Sequence, residues 1–306
     1  MKPKSAFPFR WAILFLSLLL TSCVLFRPAA RNNPEGDLAT EFSLYREGEE
    51  TPPRWWQGLG SSELNALVAE ALGSNLDLQV AWARLRQVRA QAVQSSASLY
   101  PDLSLAGDAS YKRLSDDRRI TETEEYLLGL ASGYELDLWG KIRSEGEAAA
   151  LAEQAAEQDL HAAAMTLAAE TAGRWVEVVS LRRQRGILER QLETNRMFLE
   201  LVELRFFMSK VSALDVYQQK QVVEQVASEI PLVEEEERLL LHQLALLLGR
   251  SPQDFSGIEA AAFPDPGPFP ALGLPADLLG RRPDVRAAGL RLKGADWQVA
   301  AARADR

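Results

Sequence analysis

The stretch DLSLAGDASYK, Asp102 to Lys112, decides the fold, because along it the apolar period changes from that of a helix to that of a strand. Leu103, Leu105, Gly107, Ala109 and Tyr111 alternate with Asp102, Ser104, Ala106, Asp108, Ser110 and Lys112, which predicts a strand with one polar face. After a charged stretch around Asp116 to Glu125 the alternation resumes, with Tyr126, Leu128, Leu130, Ser132, Tyr134, Leu136 and Leu138 set against Leu127, Gly129, Ala131, Gly133, Glu135 and Asp137. Two strands of roughly a dozen residues joined by a long polar loop have the dimensions of a transmembrane β-hairpin. Alternation alone suits a soluble two-layer sheet equally. Here the hairpin stands alone among helices with no second sheet to cover it, and isolated hairpins are marginal in water.

Upstream of the hairpin the period is helical. Ser61 or Ser62 caps a helix carrying Leu64, Leu67, Val68, Ala71 and Leu72, with Gly73 as its stop. Asn75 caps a second helix, Asp77 sits where the helix dipole favours an anion, and Leu78, Ala81, Leu85, Val88, Ala92 and Val93 make one face. That helix ends near Tyr100-Pro101, since the residue before proline disfavours the α conformation.

Downstream, Trp139 to about Phe206 contains no proline and predicts one helix ~100 Å long. Its small faces, such as Ala148-Ala149-Ala150, Ala155-Ala156 and Ala162-Ala163-Ala164, allow close lateral packing. The sustained heptad of large residues that a free-standing coiled coil needs is not expected from this composition. A break at Phe207 to Ala213 precedes a return helix from Leu214 to Leu248, which Pro231 should kink or divide. The run Glu234 to Glu237 reads as a solvated helix face, and the Pro-, Gly- and Phe-rich residues 251–275 as an irregular crossover.

The amino terminus has the pattern of a secretory signal. Lys2, Lys4 and Arg10 precede the apolar run Trp11 to Leu20, which is too short to span a membrane. It leads into Leu20-Thr21-Ser22-Cys23, which resembles the bacterial lipobox and marks Cys23 for acylation after cleavage; Val24 is not the aspartate associated with inner-membrane retention. Residues 24–60 read as an extended segment ending in Trp55-Trp56, taken as packing anchors. Cys23 is the only cysteine, so no internal disulfide is available. His161 and His242 stand alone, without the spacing of metal ligands, and no cofactor is implied. Losing residues 1–22 removes Lys2, Lys4 and Arg10 and no acidic residue, taking the formal net charge from -9 to -12. An acidic chain without a basic stripe argues against nucleic acid as a partner. No Ser/His/Asp set, phosphate loop or paired acid and base suggests an enzyme.

Asn75 to Leu99 aligns with Arg282 to Arg306, matching Asp77 with Asp284, Ala81 with Ala288, Arg84 with Arg291, Leu85 with Leu292, Gln91 with Gln298 and Ala97 with Ala304. With this repeat in view, the segments AEALGSNLDLQVAWARLRQVRAQAV, LYP, YELDLWGKIR, LRFFMSKVSALDVYQQKQ, LALLLGRSPQDF and GLPADLLGRRPDVRAAG resemble, in order, those of the TolC-like outer-membrane efflux proteins, and most closely their lipoprotein members in resistance-nodulation-division type systems. The resemblance runs from about residue 55 to the end of the sequence. It implies a mainly α fold with a β-hairpin: long periplasmic helices of an α-barrel, and two strands of a transmembrane β-barrel shared by a homotrimer.

On that reading residues 1–22 are the signal peptide, 23–60 a lipidated extended segment, and 61–250 a first repeat containing the hairpin 102–138. Residues 251–280 form an equatorial crossover and 281–306 start a second repeat, whose own hairpin and following helices are absent, so the chain is expected to stop partway into it. Residues 23–306 alone are then expected not to form a working channel. The resemblance further implies a passive export duct for drugs or other small molecules, localised to the outer membrane and extending into the periplasm. It would work with a periplasmic adaptor (membrane fusion) protein and an inner-membrane pump. The adaptor contact falls at the helical tip, on Phe206, Ser209, Val211, Ser212, Leu214 and Asp215, with Ser209 standing where the family often has glycine. Leu214 and Asp215 can equally be read as the start and cap of the return helix. The alternative, a lipid-anchored periplasmic helical scaffold or adaptor, shares the long helical hairpin but would carry compact β-domains beside it.

Overall fold

A computed structural model describes residue 28 and residues 54–116, 119–260, 262–264 and 277–305. A short 3-10 turn at Trp55–Leu59 precedes α1 (Ser62–Ser74), α2 (Leu76–Ala97), β1 (Asp102–Asp116), β2 (Arg119–Gly133), α3 (Lys141–Phe207), α4 (Ala213–Leu247), the short α5 (Asp277–Arg281) and α6 (Pro283–Ala304). The described residues divide into two compact units, one within 83–159 and 282–305 and the other within 54–82 and 160–281.

In the first unit, α3 starts at a cap that the local sequence builds. Asp137 accepts from the backbone N–H groups of Ile142 and Arg143 at 3.2 and 2.9 Å, satisfying donors that a helix start leaves free. Ile142, Ser144, Gly146 and Ala148 are all buried, a spacing of two that places burial on both sides of the helix. On one side Gly146 faces Ser96 of α2, and on the other Gly294 of α6 comes within 3.6 Å of the Ala148 carbonyl, measured from where a Cβ would lie. The Arg89–Glu153 pair, at 2.7 Å, ties α2 to α3, and the Arg291–Asp159 pair ties α6 to α3.

The repeat read in the sequence has a structural counterpart, since α2 and α6 are both 22 residues long and begin and end at aligned positions. They bury different faces. In α2 the buried positions include Leu85 and Ala92; in α6 they include Ala287, Gly294 and Ala301, which align with Val80, Gln87 and Gln94, all exposed. Two residues turn a helix by about 200°, so helices that flank α3 from opposite sides must present nearly opposite faces. Val93, read as part of the buried face of α2, is exposed.

In the second unit, Trp175 is 1% exposed, and Leu64, Val68, Val178, Val179, Leu244 and Leu248 are likewise buried. Its indole N–H donates to Glu63 Oε2 at 2.8 Å, and Glu63 also accepts from the backbone N–H groups of Glu259 and Ala260. Ser61 caps α1, accepting from the Leu64 N–H. Gly73 does not stop this helix, which continues through Ser74. It ends at Asn75, which turns extended because its Oδ1 accepts from the Leu78 N–H and starts α2. The Asn75 amide also donates to the Leu247 carbonyl at 3.0 Å, joining the end of α1 to the end of α4.

Between α3 and α4 a heptad is present, but one interrupted by polar residues, so the sustained run of large residues is absent as read. On α3, Leu167, Leu181, Leu188 and Val202 are buried with Thr171, Val178 and Leu192; on α4, Val216, Val223 and Leu244 are buried with Val226, Val233 and Leu240. It is hidden in the sequence because polar residues occupy several of its positions. Asn195 and Gln219 meet in one such layer, with the Gln219 amide donating to Asn195 O and Oδ1 at 3.2 and 3.3 Å. Glu237, read as part of a solvated run, is only 7% exposed and pairs with Arg182 at 2.6 Å and Arg185 at 3.1 Å.

Pro231 does not divide α4. It lies on the exposed side, where losing one backbone bond leaves the heptad contacts of Val226 and Val233 in place. Trp55 and Trp56 stack edge to face at 6.0 Å, with Trp55 exposed and Trp56 half-buried.

Candidate functional site: the helical tip and the exposed strands

The α3–α4 connection is built by two local motifs. At the end of α3 the Lys210 N–H donates to Arg205 O at 2.9 Å and the Ser209 N–H to Phe206 O at 2.8 Å, the paired bonds of a Schellman turn. Ser209 takes the left-handed conformation this turn requires, with φ 51, despite having a side chain. At the start of α4 Ser212 accepts from the Asp215 N–H, while the Asp215 carboxylate accepts from the Ser212 N–H and hydroxyl, both at 2.7 Å, a reciprocal capping box. The Ser212 hydroxyl first, and then its backbone N–H, hold the Asp215 carboxyl below the usual carboxylate range. A depressed pKa means that the capping contribution is present above the ordinary carboxylate pKa and is lost as pH falls through the lowered one.

Of the residues read as the tip, Phe206, Ser209, Ser212, Leu214 and Asp215 are exposed and Val211 is half-buried. Asp215 is committed to the cap. Phe207 at 89% exposed, Met208 and Tyr217 extend the apolar surface and were not singled out in the sequence. The available signal was that aromatic residues at a helix end had no apolar partner at heptad spacing. Cys23 lies outside the described residues.

Because Ser209 pays the steric cost of a left-handed L-residue, about 1 kcal/mol, Ser209→Gly should stabilise the hairpin by roughly 0.5–1 kcal/mol. A rise in denaturant midpoint on the helical circular dichroism signal would show it, and an unchanged or lowered midpoint would remove the argument.

The strands pair antiparallel along their whole length, from Asp102 opposite Gly133 to Asp116 opposite Arg119. Residues directly opposite share a face. Leu103, Leu105, Gly107, Ala109 and Tyr111 therefore lie with Ser132, Leu130, Leu128, Tyr126 and Glu124, while Ser104, Ala106, Asp108 and Ser110 lie with Ala131, Gly129, Leu127 and Glu125. The charged stretch read as a loop is strand: Arg113 stands opposite Glu122 at 3.5 Å, a cross-strand ion pair that favours continued pairing. The strand ends at Gly133, so Tyr134 to Leu138 are not part of it. The large apolar side chains of the hairpin are exposed, Leu128 to 79%. Among the described residues no helix is long and apolar enough to cross a membrane.

These features have clear relatives. The chain is similar to the pyoverdine export outer membrane protein OpmQ of Pseudomonas aeruginosa, 33% identical over 260 residues covering 82% of this chain and 55% of that protein. It is similar to the probable outer membrane lipoprotein SilC of Salmonella typhimurium, 27% identical over 307 residues covering 97% of this chain and 66% of that one. Among solved structures, the outer-membrane channel OprN superposes with a TM-score of 0.80 at 27% identity, over 92% of this chain and 64% of that one. The chain thus spans little more than half the length of OpmQ. Residues 67–250 match the family described as outer membrane efflux protein, and with these relatives the match shows that the chain belongs to that family.

Proposed function

We propose that this chain supplies part of the outer-membrane channel of a tripartite efflux system, a passive duct for drugs or other small molecules that works with a periplasmic adaptor and an inner-membrane pump. The observation that carries the reading is the β-hairpin inserted between α2 and α3, with its apolar face uncovered, in a chain that also bears a long α3–α4 hairpin with an exposed apolar tip. Among the described residues the paired strands, whose large apolar side chains are exposed, are the element suited to lipid. Two strands cannot close a barrel, and strands from further segments or copies, as in a homotrimer, complete it. A scaffold or adaptor role lacks an observation of its own, because the strands lie between helices and not in a separate β-domain.

The tip formed by Phe206, Ser209, Val211, Ser212, Leu214 and Asp215, with Phe207, is the adaptor contact. Phe207→Asp and Val211→Arg should reduce co-purification of the adaptor about tenfold, as loss of a central apolar contact does, while the helical signal stays unchanged. Adaptor recovery equal to the unsubstituted chain would count against both the tip and the channel assignment.

Cys23 carries the lipid anchor on the outer membrane, supported by the lipobox-like Leu20-Thr21-Ser22-Cys23 and by the likeness to a protein named as an outer membrane lipoprotein. Cys23→Ser should abolish incorporation of radiolabelled palmitate, whereas retained label would place acylation elsewhere.

A further inference from the structure

The helical tip carries a chemistry that its capping motifs do not use. Met208, directly after α3, is 55% exposed, next to Phe207 and one helical turn beyond the exposed Leu204. Its backbone N–H donates to the Leu204 carbonyl at 3.1 Å, and the Schellman turn that follows is closed by main-chain bonds, so the fold asks nothing of the thioether. Met197, Leu201, Leu204 and Met208, all exposed, are spaced 4, 3 and 4 residues apart, which places them on one apolar stripe that runs into the tip. The packed side is a different one, where Val202 of α3 and Val216 of α4 are buried.

A thioether has no proton to lose, so access and not pH decides whether an oxidant reaches it. With hydrogen peroxide, the sulfur lone pair attacks one peroxide oxygen and the O–O bond breaks. That oxygen stays on sulfur as S=O, the other leaves as water, and the two electrons lost by sulfur are taken up by the peroxide. An apolar, flexible side chain becomes a polar one. Cys23 is the only cysteine, so no pair of thiols within this sequence can respond to oxidants. The sequence has 4 methionines, Met1, Met165, Met197 and Met208. Met165 and Met197 are each 57% exposed and should oxidise about as readily as Met208. Position separates them, because along α3 Met165 lies ~65 Å and Met197 ~16 Å from Met208.

We propose that Met208 is a reversible oxidation site that sets how tightly the tip holds the adaptor: a peroxide converts its thioether to the sulfoxide, and the polar S=O group weakens the apolar contact until it is reduced. This rests on the reading of the tip as the adaptor contact and adds the regulation of that contact. Enclosing a sulfoxide oxygen in an apolar contact is unfavourable unless it finds a donor, whereas the α3–α4 heptad does not use Met208 and keeps its packing. Reduction by a thiol-dependent methionine sulfoxide reductase removes the oxygen as water, with two thiols supplying the electrons and closing to a disulfide.

The test oxidises the full chain alone with hydrogen peroxide, destroys the excess with catalase, and then adds the adaptor that co-purifies with the untreated chain. Mass spectrometry should find one added oxygen on Met208, and the helical circular dichroism signal should be unchanged. Adaptor recovery should fall about tenfold, as when a central apolar contact is lost, and return after treatment with the two reductases that act on the two sulfoxide epimers. A chain with Met165→Leu and Met197→Leu should stay sensitive. Met208→Leu, which has no oxidisable sulfur there, should change less than about twofold on peroxide treatment relative to its own untreated recovery. Unchanged adaptor recovery with Met208 oxidised would overturn the proposal, as would full sensitivity in Met208→Leu, or a Met208 left unoxidised while Met165 is converted. No adaptor recovery from the untreated chain would remove the tip reading and this inference with it; normal recovery without a response to oxidation would remove this inference alone.

Discussion

Replacing Glu237 with alanine should destabilise the α3–α4 pair by about 3–5 kcal/mol, the range seen when one member of a buried ion pair is removed. Glu237 is nearly enclosed and accepts from both Arg182 and Arg185, while Arg182 also donates to the carbonyls of Ile258 and Ala260 at 2.6 and 3.0 Å. Without the carboxylate, the largely covered Arg182 guanidinium keeps its desolvation and loses its counter-charge, whereas the more exposed Arg185 still has Glu189 at 3.6 Å. The effect should exceed that of Glu203→Ala, whose pair with Lys220 at 3.0 Å is solvent-exposed and is worth at most about 1 kcal/mol. Denaturant titration of the helical signal for both variants gives the comparison. A loss below about 1 kcal/mol for Glu237→Ala would show that water reaches the pair and that the network is dispensable.

Gly249→Ala should cost about 2–4 kcal/mol, from two sources that act together. Gly249 sits at φ 68 in the Schellman turn that ends α4, where the Arg250 N–H donates to Ala245 O and the Gly249 N–H to Leu246 O. A Cβ there would also press into the Ser74 carbonyl, a backbone atom that cannot swing aside. Ser74 is itself fixed, since its hydroxyl lies 2.6 Å from the Leu248 carbonyl. Gly73 provides the control: it is helical and a Cβ there meets nothing within 4 Å, so Gly73→Ala should raise stability by about 0.5–1 kcal/mol. A neutral result at Gly249 would mean that α1 and α4 can separate at this junction without loss.

Local chemistry made much of this legible in advance. Ser61 and Asn75 act as caps through their own side chains, and a cap needs only the few residues that follow it, whereas the return helix, read as starting and capping at Leu214 and Asp215, starts at Ala213 with Ser212 as its cap. The period of two at Asp102 to Tyr111 survives as β1, and the alternating residues of β2 fall on the same face once the register is known. Charged composition around Asp116 to Glu125 points to a loop, whereas Glu122 and Thr123 pair across the ladder with Arg113 and Lys112. The tip was found by its turn signal and its family likeness, but Phe207 and Tyr217 were missed because exposure depends on what packs nearby.

Sequence alone determined the kinds of element, their order and most of their ends, because hydrophobic period, caps and turn residues act within a few positions of the chain. It also carried the repeat, since α2 and α6 match in length and alignment. Tertiary structure decided which face each copy buries, because that depends on the side from which each approaches α3. It decided that Glu237 is buried while other glutamates of its run are not, since burial there follows the heptad shared with α3 and not the charge of the run. It also set the strand register, which brings Arg113 opposite Glu122 and divides an apolar face from an acidic one, because pairing between strands is a relation between two segments that neither contains by itself.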